Sequence, residues 1–67
     1  MKIFAERLKE LREDEGLSLQ NLAKKIGYSD VAIGRWEREE RIPNIEALVA
    51  VAIFFKVSTD YLCGLED

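Results

Sequence analysis

Residues 18–37 read SLQNLAKKIGYSDVAIGRWE, and this stretch decides the fold. Ser18 and Ser29 are residues that start helices, because a serine hydroxyl accepts a hydrogen bond from an otherwise unpaired backbone N–H of the first turn. A helix is expected over 19–26, closed by Gly27, which tolerates the left-handed conformation that ends helices. A second helix is expected over 30–38, with Asp30 in its first turn, where the helix dipole favours a carboxylate. Leu22, Ala23, Ile26, Ile33 and Trp36 fall where two crossed helices bury them. Two helices joined by a tight glycine turn make a helix-turn-helix.

Outward from this unit, the same signals repeat. Residues 1–14 are expected to be helical, with Phe4, Leu8 and Leu11 on one stripe beside Ile3, and Gly16 ends the helix. Ile42 precedes Pro43 and so avoids the helical region, which makes 41–43 extended or turn-like. Asn44 caps a helix over 45–56, and Ser58 caps a short one over 59–63 that Gly64 closes. The expected architecture is all-α: a compact five-helix bundle, with residues 1–67 forming a single domain.

The fourth helix is unusual. IEALVAVAIFFKV, residues 45–57, is apolar nearly all round, and a domain this small has too little mass to surround it. Leu48, Val51, Ala52 and Phe55 make a sufficient inward face. Ala50, Ile53 and Phe54 are left over, and Tyr61 and Leu65 extend the same surface. Such a patch is expected to be a dimer interface for a second copy of the chain.

The bulk properties narrow the class. Nearly half of the 67 residues are apolar and 34% are charged, as in a globular domain with a small core. The formal net charge is -3, which by itself argues against phosphate as a partner. Distribution matters more than the sum. Acids cluster at 13–15 and 66–67, whereas Lys24, Lys25, Arg35, Arg38 and Arg41 surround the second helix of the central unit, diluted by Asp30, Glu39 and Glu40. No apolar run is long enough for a membrane span, the start MKIFAERLKE lacks the apolar core of a signal peptide, and Cys63 has no partner for a disulfide. A cytoplasmic location is expected. Histidine, a second cysteine, zinc-ligand spacing and a phosphate-binding glycine loop are all missing, so no catalysis, metal, cofactor or small-molecule substrate is expected.

The residues LKELREDEGLS (8–18), LAKKIGYSDVAIGRWERE (22–39), RIPNIEAL (41–48) and VSTDYLCGLED (57–67) stand in an order and spacing that resembles the DNA-binding domains of the phage repressor and Cro type, the XRE-like helix-turn-helix group. The resemblance implies a homodimer that binds a double-stranded operator as a prokaryotic or phage transcriptional regulator, in the first instance a repressor. It places base-reading side chains at Asp30, Val31 and Arg35, with Ala32 and Gly34 beside them. It makes Ser29 and Asn44 caps close to the DNA backbone, and Arg12 and Glu37 a structural pair. The chain departs from the pattern at Leu19, where the group commonly has a phosphate-gripping glutamine, and at Glu39-Glu40, where it often has glycine and a basic residue. These departures support an alternative: a protein-interaction module of antirepressor or toxin-partner type on the same fold.

The chemistry of the individual residues fits this frame. Arg35 follows buried Ile33 and precedes buried Trp36, so it points outward, and its planar fork matches guanine O6 and N7. Asp30 either accepts from cytosine N4 or stabilises the first turn, and the structural role is favoured because a carboxylate near phosphates is costly. Val31 either meets a thymine methyl or packs on the preceding helix. Arg38, Arg41, Asn44 and Ser18 are candidate phosphate contacts, the last two at helix N-termini that favour anions. Lys24 and Lys25 are expected on a solvated face, Trp36, Phe4 and Phe55 in the core, and Tyr28 as a staple beside the Ser29 cap.

Overall fold

Every helix after the first begins on a side chain that closes its open end. A computed structural model describes residues 2–67 as α1 (Lys2–Asp14), α2 (Leu19–Ile26), α3 (Asp30–Glu37), α4 (Ile45–Phe55) and α5 (Thr59–Cys63). Ser18 Oγ accepts from the Asn21 N–H at 3.0 Å, Ser29 Oγ from Ala32 at 3.0 Å, Asn44 Oδ1 from Ala47 at 2.8 Å and Ser58 Oγ from Tyr61 at 2.9 Å. Each such cap stabilises its helix by about 1 kcal/mol. The α2–α3 turn is made by Gly27 at φ 80°, where the N–H groups of Gly27 and Tyr28 both return to the Ala23 carbonyl. The expected ends at 38 and 56 are one residue long: Arg38 and Lys56 are the C-caps of α3 and α4. Met1, the first residue of the expected opening helix, lies outside the described residues.

The side chains of Phe4, Leu8, Leu22, Ile33, Val51 and Leu62 are fully buried in one cluster fed by all five helices. α1 packs on α3 and α5, and α2 on α3 and α4. Trp36 joins the cluster at the end of α3, with Phe4 meeting it edge to face at 6.4 Å and Tyr28 at 5.7 Å. Tyr28 therefore anchors the entry to α3 through the ring of Trp36.

The inward face of α4 differs from expectation. Ala47, Val51 and Ala52 are the buried residues, while Leu48 and Phe55 are half-buried. A helix apolar on all sides has no polar face to fix its roll. The roll is set by bulk: small Ala47 and Ala52 lie inward, and Leu48, Phe54 and Phe55 close the edges of the core. Of the surface expected to meet a second copy, Ile53 (71% exposed) and Leu65 (77%) are open, whereas Ala50, Phe54 and Tyr61 are half-buried. Ile45 and Val49 precede Ile53 at four-residue intervals and lengthen the open stripe.

Two arginines tie distant parts together. Arg12 on α1 donates from Nε to Glu37 Oε2 at 2.7 Å and from Nη2 to Oε1 at 2.9 Å, and its Nη1 donates to the Leu17 carbonyl at 2.8 Å. Only 13% of the Arg12 side chain and 7% of the Glu37 side chain are exposed. Donating to the Glu37 carboxylate raises the Arg12 guanidinium above its already high ordinary value. Arg7 donates to the Tyr61 carbonyl and, at 2.7 Å, to the Glu66 carbonyl, with its guanidinium 4.2 Å above the Tyr61 ring. This second clamp joins α1 to the C-terminal segment and takes one face of Tyr61.

Glu37→Ala leaves a guanidinium almost out of water with no counter-charge, and breaking such a pair costs roughly 2–4 kcal/mol. For a domain of this size the midpoint of thermal unfolding should fall by ~10 °C or more. The double variant Arg12→Met, Glu37→Leu should recover much of that loss by circular dichroism, since it removes both charges. Unchanged melting of Glu37→Ala would sink the structural role of the pair.

Candidate nucleic-acid interface

Ile33 and Trp36 are buried on one side of α3. Their burial fixes the roll of the helix, and Val31, Arg35 and Arg38 are exposed on the other side. These three are separated by four and three residues, so they form one outward stripe. Asp30 and Ala32 flank it, both half-buried. Asp30 Oδ1 accepts from the Val31 N–H at 3.0 Å, in keeping with the first-turn role favoured for it. Ser29 Oγ is engaged in its cap.

Gly34 departs from expectation. It is buried, because the Arg38 side chain, one turn further on, lies across it: a Cβ built on Gly34 would come within 2.8 Å of Arg38 Nη1. Gly34 therefore has no open edge to offer a base. Its contribution is the space that Arg38 occupies.

Arg35, Arg41 and Asn44 are brought together across a cleft of about 320 Å³ between α3 and the start of α4, walled by Tyr28, Trp36 and Pro43. Arg35 is exposed at its edge, and Ala32 lies inside it. Asn44 Oδ1 is used by its own helix cap, which leaves the side-chain amide and the free first-turn N–H groups of α4 as donors. Lys24 borders a shallower groove over the α2–α3 turn with Gln20 and Asp30, and Lys24 and Lys25 are both exposed. Ser18 caps α2 at an exposed position.

The segment after α3 carries a feature that spacing alone does not announce. Glu39 adopts φ 63°, in the left-handed region. The N–H of Glu40 then reaches back to the Arg35 carbonyl at 2.9 Å. The turn swings Glu40 beside Arg38, whose Nε donates to Glu40 Oε2 at 3.0 Å and whose Nη2 donates to Oε1 at 3.4 Å. The hydrogen bond from Arg38 holds the Glu40 carboxyl below the usual carboxylate range. Residues two apart do not face each other on a helix, so this pairing exists only because the chain has left the helix through Glu39.

The chain belongs to the helix-turn-helix family HTH_3, whose model matches residues 8–62. It is 37% identical over 65 residues to the HTH-type transcriptional regulator YobD of Bacillus subtilis, a match covering 97% of this chain and 58% of that protein. It is 38% identical over 61 residues to repressor protein C2 of Salmonella phage P22, covering 91% of this chain and 28% of the repressor. The chain thus spans little more than half, or less, of these curated relatives. The crystal structure of the P22 c2 repressor in complex with a synthetic operator superposes with a TM-score of 0.85 at 37% identity, covering 92% of this chain and 94% of that one. The solution structure of the P22 c2 DNA-binding domain gives 0.82 at 38% identity, covering 90% and 79%.

Glu39 strains the exit from α3, since a side chain in the left-handed region costs about 1 kcal/mol or more. Glu39→Gly relieves this strain and should raise stability by about 1 kcal/mol in urea unfolding. A variant no more stable than the wild type would show that the turn is not strained.

Proposed function

We propose that this chain is a sequence-specific double-stranded DNA-binding domain of a transcriptional regulator, acting as a repressor, with α3 in the major groove. The observation that carries this reading is the outward stripe of α3, rolled into place by Ile33 and Trp36, with cations and helix N-termini on either side of it. The likeness to a repressor solved on its operator supports it.

In this reading Arg35 donates to guanine O6 and N7, Val31 meets a thymine methyl, and Arg41 with the N-termini of α2 and α4, at Ser18 and Asn44, grips phosphates. Ser29 holds the start of α3 against the backbone. Ala32 and Gly34 shape the helix surface. Two copies meet through the open apolar residues Ile53 and Leu65, flanked by Ala50, Phe54 and Tyr61, and place two α3 helices in successive major grooves, ~34 Å apart. The site of action is the cytoplasm. Among the described residues, no helix is long and apolar enough to cross a membrane.

Selection of bound duplexes from a random pool tests the reading. A palindromic enriched site whose affinity falls steeply with salt is expected. No enrichment at low salt would overturn it, and salt-insensitive binding of a protein partner would favour an interaction module instead. On the enriched site Arg35→Ala should cost roughly 1–3 kcal/mol and flatten the preference at one base position. Equal loss on all duplexes would reassign Arg35 to phosphate.

A further inference from the structure

The geometry points to Arg38 as a second base-reading side chain, with Glu40 as the residue that positions it and Gly34 as its seat. This inference rests on the proposed DNA-binding reading and adds a specificity-determining pair to it.

Three observations carry it. Arg38 shares the outward stripe of α3 with Val31 and Arg35. Its side chain lies back along the helix over Gly34, where even one methyl group would collide with it. Its guanidinium is held from the side by Glu40, through Nε at 3.0 Å and Nη2 at 3.4 Å. A guanidinium carries five N–H donors. The side-on pairing uses the edge formed by Nε and Nη2. The end of the fork, Nη1 together with the second proton of Nη2, donates to no protein group among the described residues, although Nη1 itself rests against Gly34 and must lift from that seat to reach a base. Those are the two donors that guanine O6 and N7 accept in the major groove.

Glu40 also changes what Arg38 is suited for. A free arginine beside the helix is a mobile cation that binds any phosphate and discriminates nothing. An arginine paired to a carboxylate has lost much of its net attraction to phosphate but keeps the directionality of its remaining donors. Fixing its rotamers before binding reduces the ordering cost of contact. Glu40 therefore trades general affinity for selectivity at one base pair, and the acid that looks misplaced beside a DNA surface has a function there.

Glu40→Gln and Gly34→Ala test this by different routes. The first removes the carboxylate that orients the fork. The second pushes the fork off its seat, and because the clash is with the flexible end of a side chain the fold should hold, as circular dichroism can verify. Binding of each variant is measured by fluorescence anisotropy on the wild-type enriched duplex and on duplexes changed one pair at a time. Both variants should lose discrimination at the same base pair, by roughly fivefold or more, while Glu40→Gln holds or gains affinity for non-cognate duplexes. Their effects should not add, since both act through Arg38. A uniform gain of Glu40→Gln on every duplex, with the base preferences intact, would overturn the inference and make Glu40 a simple repulsive acid. Variants that lose discrimination at different positions would also overturn it. A wild type that enriches no site would overturn both this inference and the proposed function, which separates the two failures.

Discussion

The ion pair between Arg12 and Glu37 is the constraint on which the rest of the molecule depends. It bolts the last residue of α3 to α1, and the third donor of the same guanidinium holds the Leu17 carbonyl, just ahead of α2. One side chain thus fixes both ends of the helix-turn-helix against the first helix. Two charges nearly out of water bring little net stability compared with apolar residues of similar volume. What they bring is definition. Ile33 and Trp36 set the roll of α3, but an apolar contact tolerates sliding along the helix axis. A bidentate pair does not, because its hydrogen bonds survive only at one distance and angle.

The consequences run outward from Glu37. Arg38 and Glu39 follow immediately, so the point where α3 ends is pinned, and the left-handed turn at Glu39 starts from a fixed place. Without that anchor, the strain at Glu39 would be released by fraying of the last turn. With it, the strain is held, Glu40 is brought back beside Arg38, and Arg41 is delivered to the cleft beside Arg35 and Asn44. The surface assembled on α3 is therefore partly a product of a pair held largely away from solvent behind it.

How much of this could be read from residue order follows the range of each interaction. Caps at Ser18, Ser29, Asn44 and Ser58 were legible because the side chain bonds a backbone group three residues ahead. The outward aim of Arg35 was legible because Ile33 and Trp36 sit at helical spacing. The roll of α4 was not, since a helix apolar on all sides gives periodicity nothing to act on, and bulk chose Ala47 over Leu48. The Arg7 clamp was invisible because its partners Tyr61 and Glu66 lie at the other end of the chain. Gly34 is expected beside the base-reading side chains, and its cover is not legible because it depends on how the Arg38 side chain folds back along the helix.

Charge shows the same dependence on geometry. Summed over the chain, acids outnumber bases by three, and a polyanion is an improbable partner on that basis. Counterion release, however, depends on the cations that meet phosphate and is indifferent to acids elsewhere. Under the proposed function Glu40 borders the DNA-facing side of α3 but spends its charge on Arg38, so it subtracts one phosphate-seeking cation and adds little free negative potential. On that reading few cations are left for a phosphate backbone, which would lower affinity for all sequences alike. Discrimination depends on the ratio of specific to non-specific binding, and that ratio improves when the sequence-independent part shrinks faster than the base contacts do. An acidic chain is therefore compatible with selective binding, provided its arginines are held as fixed donors rather than left as mobile charges.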